Sequence, residues 1–265
     1  MKQLLFSVII FSFMTCQWAD ASKQEKNSEV IPQDSVKKKS VVENYYEHNK
    51  GDSSKSESLG TVSKGSLKNG KLLPFEGENF HYFDTVSYLA GRAFLNDQLL
   101  ASVLEYYSEL AYTYPNRHFC IMECSNKHGG EIAPHRTHQN GLSIDFMIPL
   151  AKQNQPYYAL DSLGKNHYLL NFNNSGQYDK DTSVSIDFDL VAAQILTLDK
   201  VARLHGLKIS KVIIKTEFKD ELFATENGNR LKNSNIYLVQ SLTPLINSLH
   251  DDHFHVDFEL FNGAK

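Results

Sequence analysis

The chain has 265 residues, 41% of them hydrophobic and 22% charged, enough apolar material for one good-sized core with appendages. Its 27 Lys and Arg against 31 Asp and Glu leave a net charge of −4, so no global positive field draws it to nucleic acid or anionic lipid. Three cysteines exclude a disulfide scaffold and a Cys-rich zinc finger, whereas eleven histidines stand out, five of them packed into two short segments.

Residues 1–21 carry Lys2, an apolar run from Leu4 to Met14 that is short for a bilayer span, and Ala19-Asp20-Ala21 before Ser22, which together predict a secretory signal peptide. The chain is therefore expected in the periplasm or outside the cell. A lipid anchor at Cys16 is the lesser alternative, because Thr15 stands where a lipobox has a small residue such as Gly, Ala or Ser. Across residues 22–57 the apolar side chains thin to Val30, Ile31, Val36, Val41, Val42, Tyr45 and Tyr46 among many Ser, Lys and acids. Such a composition does not offset its ordering entropy and predicts a disordered polar tether, with Lys37 to Lys39 as part of a solvated linker.

The folded domain is expected over residues 58–265. Leu100, Val103, Leu104, Tyr107, Leu110 and Ala111 recur at helical spacing between Asn96 and Tyr114, with Asn96 or Asp97 as cap and Pro115 beyond the end. His118–Ser125 reads as a short buried strand, broken by Gly129-Gly130. After Gly141 the sequence alternates, with Leu142, Ile144, Phe146 and Ile148 on one face and Ser143, Asp145 and Met147 on the other, so Asp145 is expected to face a cleft or solvent. Residues 150–185 have no sustained period and read as a long connection containing a hairpin. A second helix is expected from about Asp189 to Gly206, then a strand over Leu207–Lys215. In His253–Leu260, Phe254, Val256, Phe258 and Leu260 face a core while His253, His255, Asp257 and Glu259 share the other face. Strands in separate places with helices between them predict an α+β domain, its sheet mostly antiparallel and flanked by helices, with a single zinc site.

Two imidazoles at i and i+2 on one strand project side by side, a natural way to present both to one centre. His138 and Asp145 supply a third imidazole and a carboxylate, with Gly141 letting the chain turn between them. A catalytic zinc takes three protein ligands and keeps one position for water, so His138, Asp145 and His255 are the candidate ligands and His253 the candidate general base. Cys120 and Cys124 lie four apart on the expected strand, too far for a disulfide, and are read as buried free thiols. Arg92 is read as a surface ion-pair partner in preference to a binder of substrate carboxylate. Tyr157, Tyr158 and Tyr168 are weighed between packing and lining a groove; His81, His118, His167 and His205 are ordinary polar residues.

The run Gly129-Gly130-Glu131-Ile132-Ala133-Pro134-His135-Arg136-Thr137-His138-Gln139-Asn140-Gly141-Leu142-Ser143-Ile144-Asp145, with the later His250-Asp251-Asp252-His253-Phe254-His255-Val256, resembles the penicillin-insensitive murein endopeptidases. Those enzymes belong to the superfamily of lysostaphin, D-Ala-D-Ala metallopeptidases and sonic hedgehog, marked by H-x6-D and H-x-H. The likeness extends upstream to Ser58–Leu67 and Leu73-Pro74, and so over roughly residues 58–260. It implies that His138, Asp145 and His255 ligate zinc and that His253 stands beside the water. It further implies that His135 contacts metal and that His250 orients substrate or water. The implied activity is hydrolysis of amide bonds in peptidoglycan cross-link peptides, D-alanyl to diamino acid, by zinc-activated water and a His base. The alternatives are a D-Ala-D-Ala carboxypeptidase or other cell-wall peptidase, and a non-catalytic zinc-containing binding domain. Asp257 departs from the family's usual basic residue and is expected to make the cleft more acidic. The family's C-terminal cysteines are absent, and Asp161 and His167 do not reproduce the spacing of its second metal site.

Overall fold

The computed structural model describes residues 39–261. The expected signal peptide, Cys16 and the first part of the expected tether lie outside the described residues. Helix α1 (Val41–Asn49) precedes hairpin β1 (Glu57–Thr61) and β2 (Lys64–Lys68). Then come β3 (Lys71–Leu72), β4 (Phe80–Tyr82), α2 (Thr85–Leu89), β5 (Phe94–Leu95), α3 (Asp97–Thr113) and β6 (Phe119–Ile121). A long loop leads to β7 (Ser143–Met147), β8 (Leu150–Lys152), β9 (Gln155–Tyr157), tight 3-10 turns over Asp161–Leu169, β10 (Gln177–Tyr178) and β11 (Asp181–Ile186). The described fold closes with α4 (Phe188–Leu204), β12 (Leu207–Ile213), α5 (Lys219–Ala224), α6 (Glu226–Lys232), α7 (Pro244–Ser248) and β13 (His253–Leu260).

The class is α+β. A five-stranded sheet runs in the order β12-β13-β7-β6-β4, antiparallel except for the parallel β4–β6 pair. The sheet is thus mixed, though antiparallel pairs dominate it. Helix α3 forms as its periodicity predicts, with the Asn96 side chain accepting from Gln98 N–H, and it buries Leu99, Val103, Tyr106, Tyr107 and Leu110. Helix α4 starts at an Asp187 cap and ends before Gly206, whose φ of +74° suits glycine best. The Tyr106 hydroxyl donates to Gln194 Oε1 at 2.9 Å and joins the two helices, while the Tyr106 ring meets Phe146 edge-on at 5.8 Å. Phe146 in turn stacks on Phe254 across the β7–β13 pair, so the apolar face of these strands is roofed by α3.

Three expectations need correction. Residues 150–186 form a second sheet, in the order β10-β11-β8-β9, rather than a loose connection. Its strands are two to six residues long, too short to display a period, and the β8–β9 turn places Gln153 and Asn154 at positive φ, 52° and 59°. The expected strand His118–Ser125 contracts to Phe119–Ile121, because the following amides change partner: Met122 N–H donates to Asp145 O and Cys124 N–H to Arg92 O. Within the expected tether, α1 is a formed helix, with Ser40 and Glu43 making a reciprocal capping box. Three of its four apolar residues share one side: Val42, Tyr45 and Tyr46 pack against the core, Val41 is exposed, and Tyr45 meets Tyr88 edge-on at 5.7 Å. Averaged over the whole stretch, that stripe is invisible. Among the described residues, no helix is long and apolar enough to cross a membrane.

Candidate metal centre and its cleft

Strands β7 and β13 pair with His255 directly opposite Asp145, Asp257 opposite Ser143 and His253 opposite Met147. The period of two therefore collects Asp145, His253, His255 and Asp257 on one face, and all four are buried. Asp145 faces neither solvent nor an open cleft, as the alternation alone suggested; it is fully buried within the cluster.

His138 reaches the same point from the loop before β7. Its backbone sits at φ +65°, and its N–H donates to Ser143 Oγ at 3.3 Å. The turn depends on Gly141 at φ +78°, where a Cβ would lie 2.9 Å from the Asn96 amide nitrogen and 2.8 Å from Leu67. Three donor atoms then converge: His138 Nε2 is 3.3 Å from Asp145 Oδ1 and 3.1 Å from His255 Nδ1, and His255 Nδ1 is 2.7 Å from Asp145 Oδ1. His135 stands alongside with Nδ1 3.5 Å from Asp145 Oδ2, and the ligand atoms of His135, His138 and Asp145 all lie within 4.8 Å of one another. Asp145 Oδ2 and His138 Nδ1 are buried with no hydrogen-bond partner. A tetrahedral ion with N and O ligands at about 2.0–2.1 Å needs donor atoms roughly 3.3 Å apart. Two sides, 3.3 and 3.1 Å, fit such an ion, and the 2.7 Å side is a hydrogen bond that opens slightly to admit it.

Four of the five rings are held from behind, whereas His138 Nδ1 has no partner. His255 Nε2–H donates to Asp257 Oδ1 at 2.7 Å, with Thr137 Oγ1 at 3.3 Å. Burial would lower the His255 pKa, but the Asp257 charge and the hydrogen bonds that the ring donates to Asp145 and Asp257 outweigh it and raise the value to about 10, so an ion ligated here must displace the Nδ1 proton. His135 Nε2 meets Glu123 Oε2 at 2.6 Å. Glu123 also accepts from Ser87 Oγ and Arg92, both at 2.6 Å; burial opposes its ionisation, yet these bonds bring it down to about 2. His253 Nδ1 donates to Asp252 Oδ1 at 2.6 Å, and His250 Nδ1–H to the Ile246 carbonyl at 2.6 Å, which leaves both Nε2 atoms as acceptors. Burial lowers His253 to about 4 and His250 to about 3, so both are neutral at physiological pH. Their rings lie 4.9 Å apart.

His135, His250, His253 and His255 open onto a cleft of about 730 Å³, walled also by Tyr168 and by apolar Ile213, Leu242, Ile246 and Leu249. Arg92, Arg136, Lys165 and Lys211 line it too, against the single acid Glu123. The cleft of this acidic protein is cationic, and Asp257 does not reverse that. Contrary to expectation, Asp257 is wholly buried beneath His255 and lies 3.0 Å from Lys211 Nζ, an ion pair without hydrogen-bond alignment.

All six expected histidine and aspartate site residues, His135, His138, Asp145, His250, His253 and His255, are thus brought to one region. Arg92 is more than a surface partner: it pairs with buried Glu123 and donates to Ala133 O at 2.7 Å. Of the three tyrosines only Tyr168 lines the cleft; Tyr158 meets His118 elsewhere. His167 is buried, its Nδ1 donating to the Leu160 carbonyl, and its Nε2 lies 3.3 Å from the Asp252 carbonyl. Cys120 and Cys124 are buried free thiols, as expected. Glu123, Asp252, Ser143 and Thr137 escaped the sequence reading. For Glu123 a signal existed, an acid inside the apolar run Phe119–Cys124.

The family model of the penicillin-insensitive murein endopeptidases matches residues 58–265, and the chain belongs to that family. No curated protein matches the chain.

Proposed function

We propose that this member of the penicillin-insensitive murein endopeptidases is an exported zinc enzyme that cleaves the D-alanyl to diamino acid amide bond of peptidoglycan cross-links. The observation that carries the reading is the triangle of His138 Nε2, Asp145 Oδ1 and His255 Nδ1, with sides of 2.7 to 3.3 Å, beneath a cleft that holds two further neutral histidines. His138, Asp145 and His255 would hold the ion, with His135 beside them. A bound zinc supplies a Lewis acid that polarises a carbonyl and acidifies water.

The chain's own groups supply the rest. His253, neutral and fixed by Asp252, presents Nε2 to take a proton from the attacking water and to return it to the departing amine. His250, fixed by the Ile246 carbonyl, holds its Nε2 nearby as an acceptor that positions water or substrate. Glu123 and Arg92 hold the His135 ring in place. Arg136 and Lys165 line the cleft as cations suited to the carboxylates of an acidic peptide. No serine or cysteine nucleophile is required, which accords with insensitivity to penicillin. Action on the wall places the enzyme outside the cytoplasm.

The test is digestion of purified sacculi by the zinc-loaded protein, with the released muropeptides identified by mass. Cross-linked dimers converted to monomers support the proposal. Loss of terminal D-Ala alone would reassign the protein as a carboxypeptidase, and no release would leave a binding domain.

A further inference from the structure

We propose that Asp257 is a positioning residue that aligns two of the three metal donors at once; this rests on the reading of His138, Asp145 and His255 as the metal site. Asp257 lies two residues after His255 on β13, on the same face, and opposite Ser143 of β7. Its Oδ1 accepts from His255 Nε2 at 2.7 Å and also from the Ser143 hydroxyl. An ionised carboxylate only accepts, so a hydrogen of His255 is held on Nε2 and Nδ1 is the nitrogen that gives up its proton to bind the metal.

The second arm runs through Ser143. Its hydroxyl spends its one hydrogen on Asp257, so its oxygen is left to accept from the His138 N–H at 3.3 Å. That bond pins the left-handed backbone at His138, whose Nε2 lies 3.1 Å from His255 Nδ1. Removing the carboxylate frees both the His255 ring and the Ser143 hydroxyl. Lys211, opposite Asp257 on β12, supplies the countercharge that lets an acid remain at this depth. The arrangement gives Asp257 a use that the acidification of the cleft does not describe.

The experiment uses the full chain and reads zinc affinity by competition with a chromophoric chelator, together with the ¹⁵N–¹H spectrum of His255 in the zinc-loaded protein. Wild type should show a slowly exchanging proton on His255 Nε2. Asp257→Ala should lose that protection, and the isosteric Asp257→Asn should keep only part of it. Both should bind zinc about ten- to a hundredfold more weakly, the Asn variant less so because its amide oxygen still accepts. Either variant overturns the proposal if it is folded by circular dichroism and holds zinc as tightly as wild type, even with a lowered melting temperature, since a merely structural residue would behave that way. Should the Ala variant fail to fold, the Asn variant decides. A wild-type protein that binds no zinc would sink the metal-site reading and this inference with it, an outcome distinct from equal affinities across the series.

Discussion

The two faces of the β7–β13 strand pair are equally hidden from water and hold together by different means. On one, Ile144, Phe146, Phe254, Val256 and Phe258 are buried in an apolar core, where any side chain of similar shape would satisfy the same packing. On the other, Ser143, Asp145, His253, His255 and Asp257 are equally buried, and each is bonded to a specific atom of another residue. The apolar face needs volume; the polar face needs partners. Adjacent residues on one strand therefore differ in what a substitution should do, stability on one side and chemistry on the other.

The strongest way to break this contrast is His253→Ala. It should keep zinc content and fold while losing on the order of 10²- to 10⁴-fold in muropeptide release, the usual worth of a positioned base. If the variant instead sheds zinc, His253 belongs to the ligand set and the division of labour on β13 is wrong. At the next residue on the strand, on the apolar face, Phe254→Ala should cost about 3–5 kcal/mol in urea unfolding, and the protein that remains folded should turn over substrate normally. A depressed rate per folded molecule would show that the faces are coupled.

A half-buried acid outside the site sharpens the comparison, because among the described residues it has no ion-pair partner. Asp161 lines a small cleft with Cys120, His118 and Tyr158, and desolvation raises its pKa from 3.8 to about 7. The folded protein thus holds this proton more tightly than the unfolded chain. Stability from this group is complete below about pH 4 and is lost as pH rises through about 7, by at most roughly 4 kcal/mol. Asp161→Asn should flatten that part of the melting-temperature profile; an unchanged profile would refute the assignment. Least of all, Ile144→Val should cost about 0.5–1.5 kcal/mol and leave zinc affinity within error of wild type.

What the sequence displayed follows the same division. Strand β13 and helices α3 and α4 were legible because their periods persist for eight residues or more and their caps, such as Asn96, are local. The site histidines were legible because i, i+2 spacing on a strand is a geometric statement by itself. The partners behind them were not. Glu123 meets His135 only because the loop before β7 folds back over β6, and the burial of Asp257 follows from Lys211 and Ser143 arriving on the flanking strands. Helix α1 and the second sheet were missed for another reason, namely that nine residues with three useful apolar contacts, and strands of two to six, fall below the window in which periodicity rises above composition.

Strand β13 is the last strand of the described fold, yet it lies inside the sheet, between β12 and β7. Until it is made, β7 lacks one neighbour, Asp145 lacks His255, and the proposed base does not exist. At ribosomal speeds of about 5–20 residues per second the nascent chain spends many seconds carrying His138 and Asp145 with nothing to complete them. A peptidase built in this order is silent throughout synthesis, and one whose chain were cut short before residue 253 would be inert rather than merely weakened.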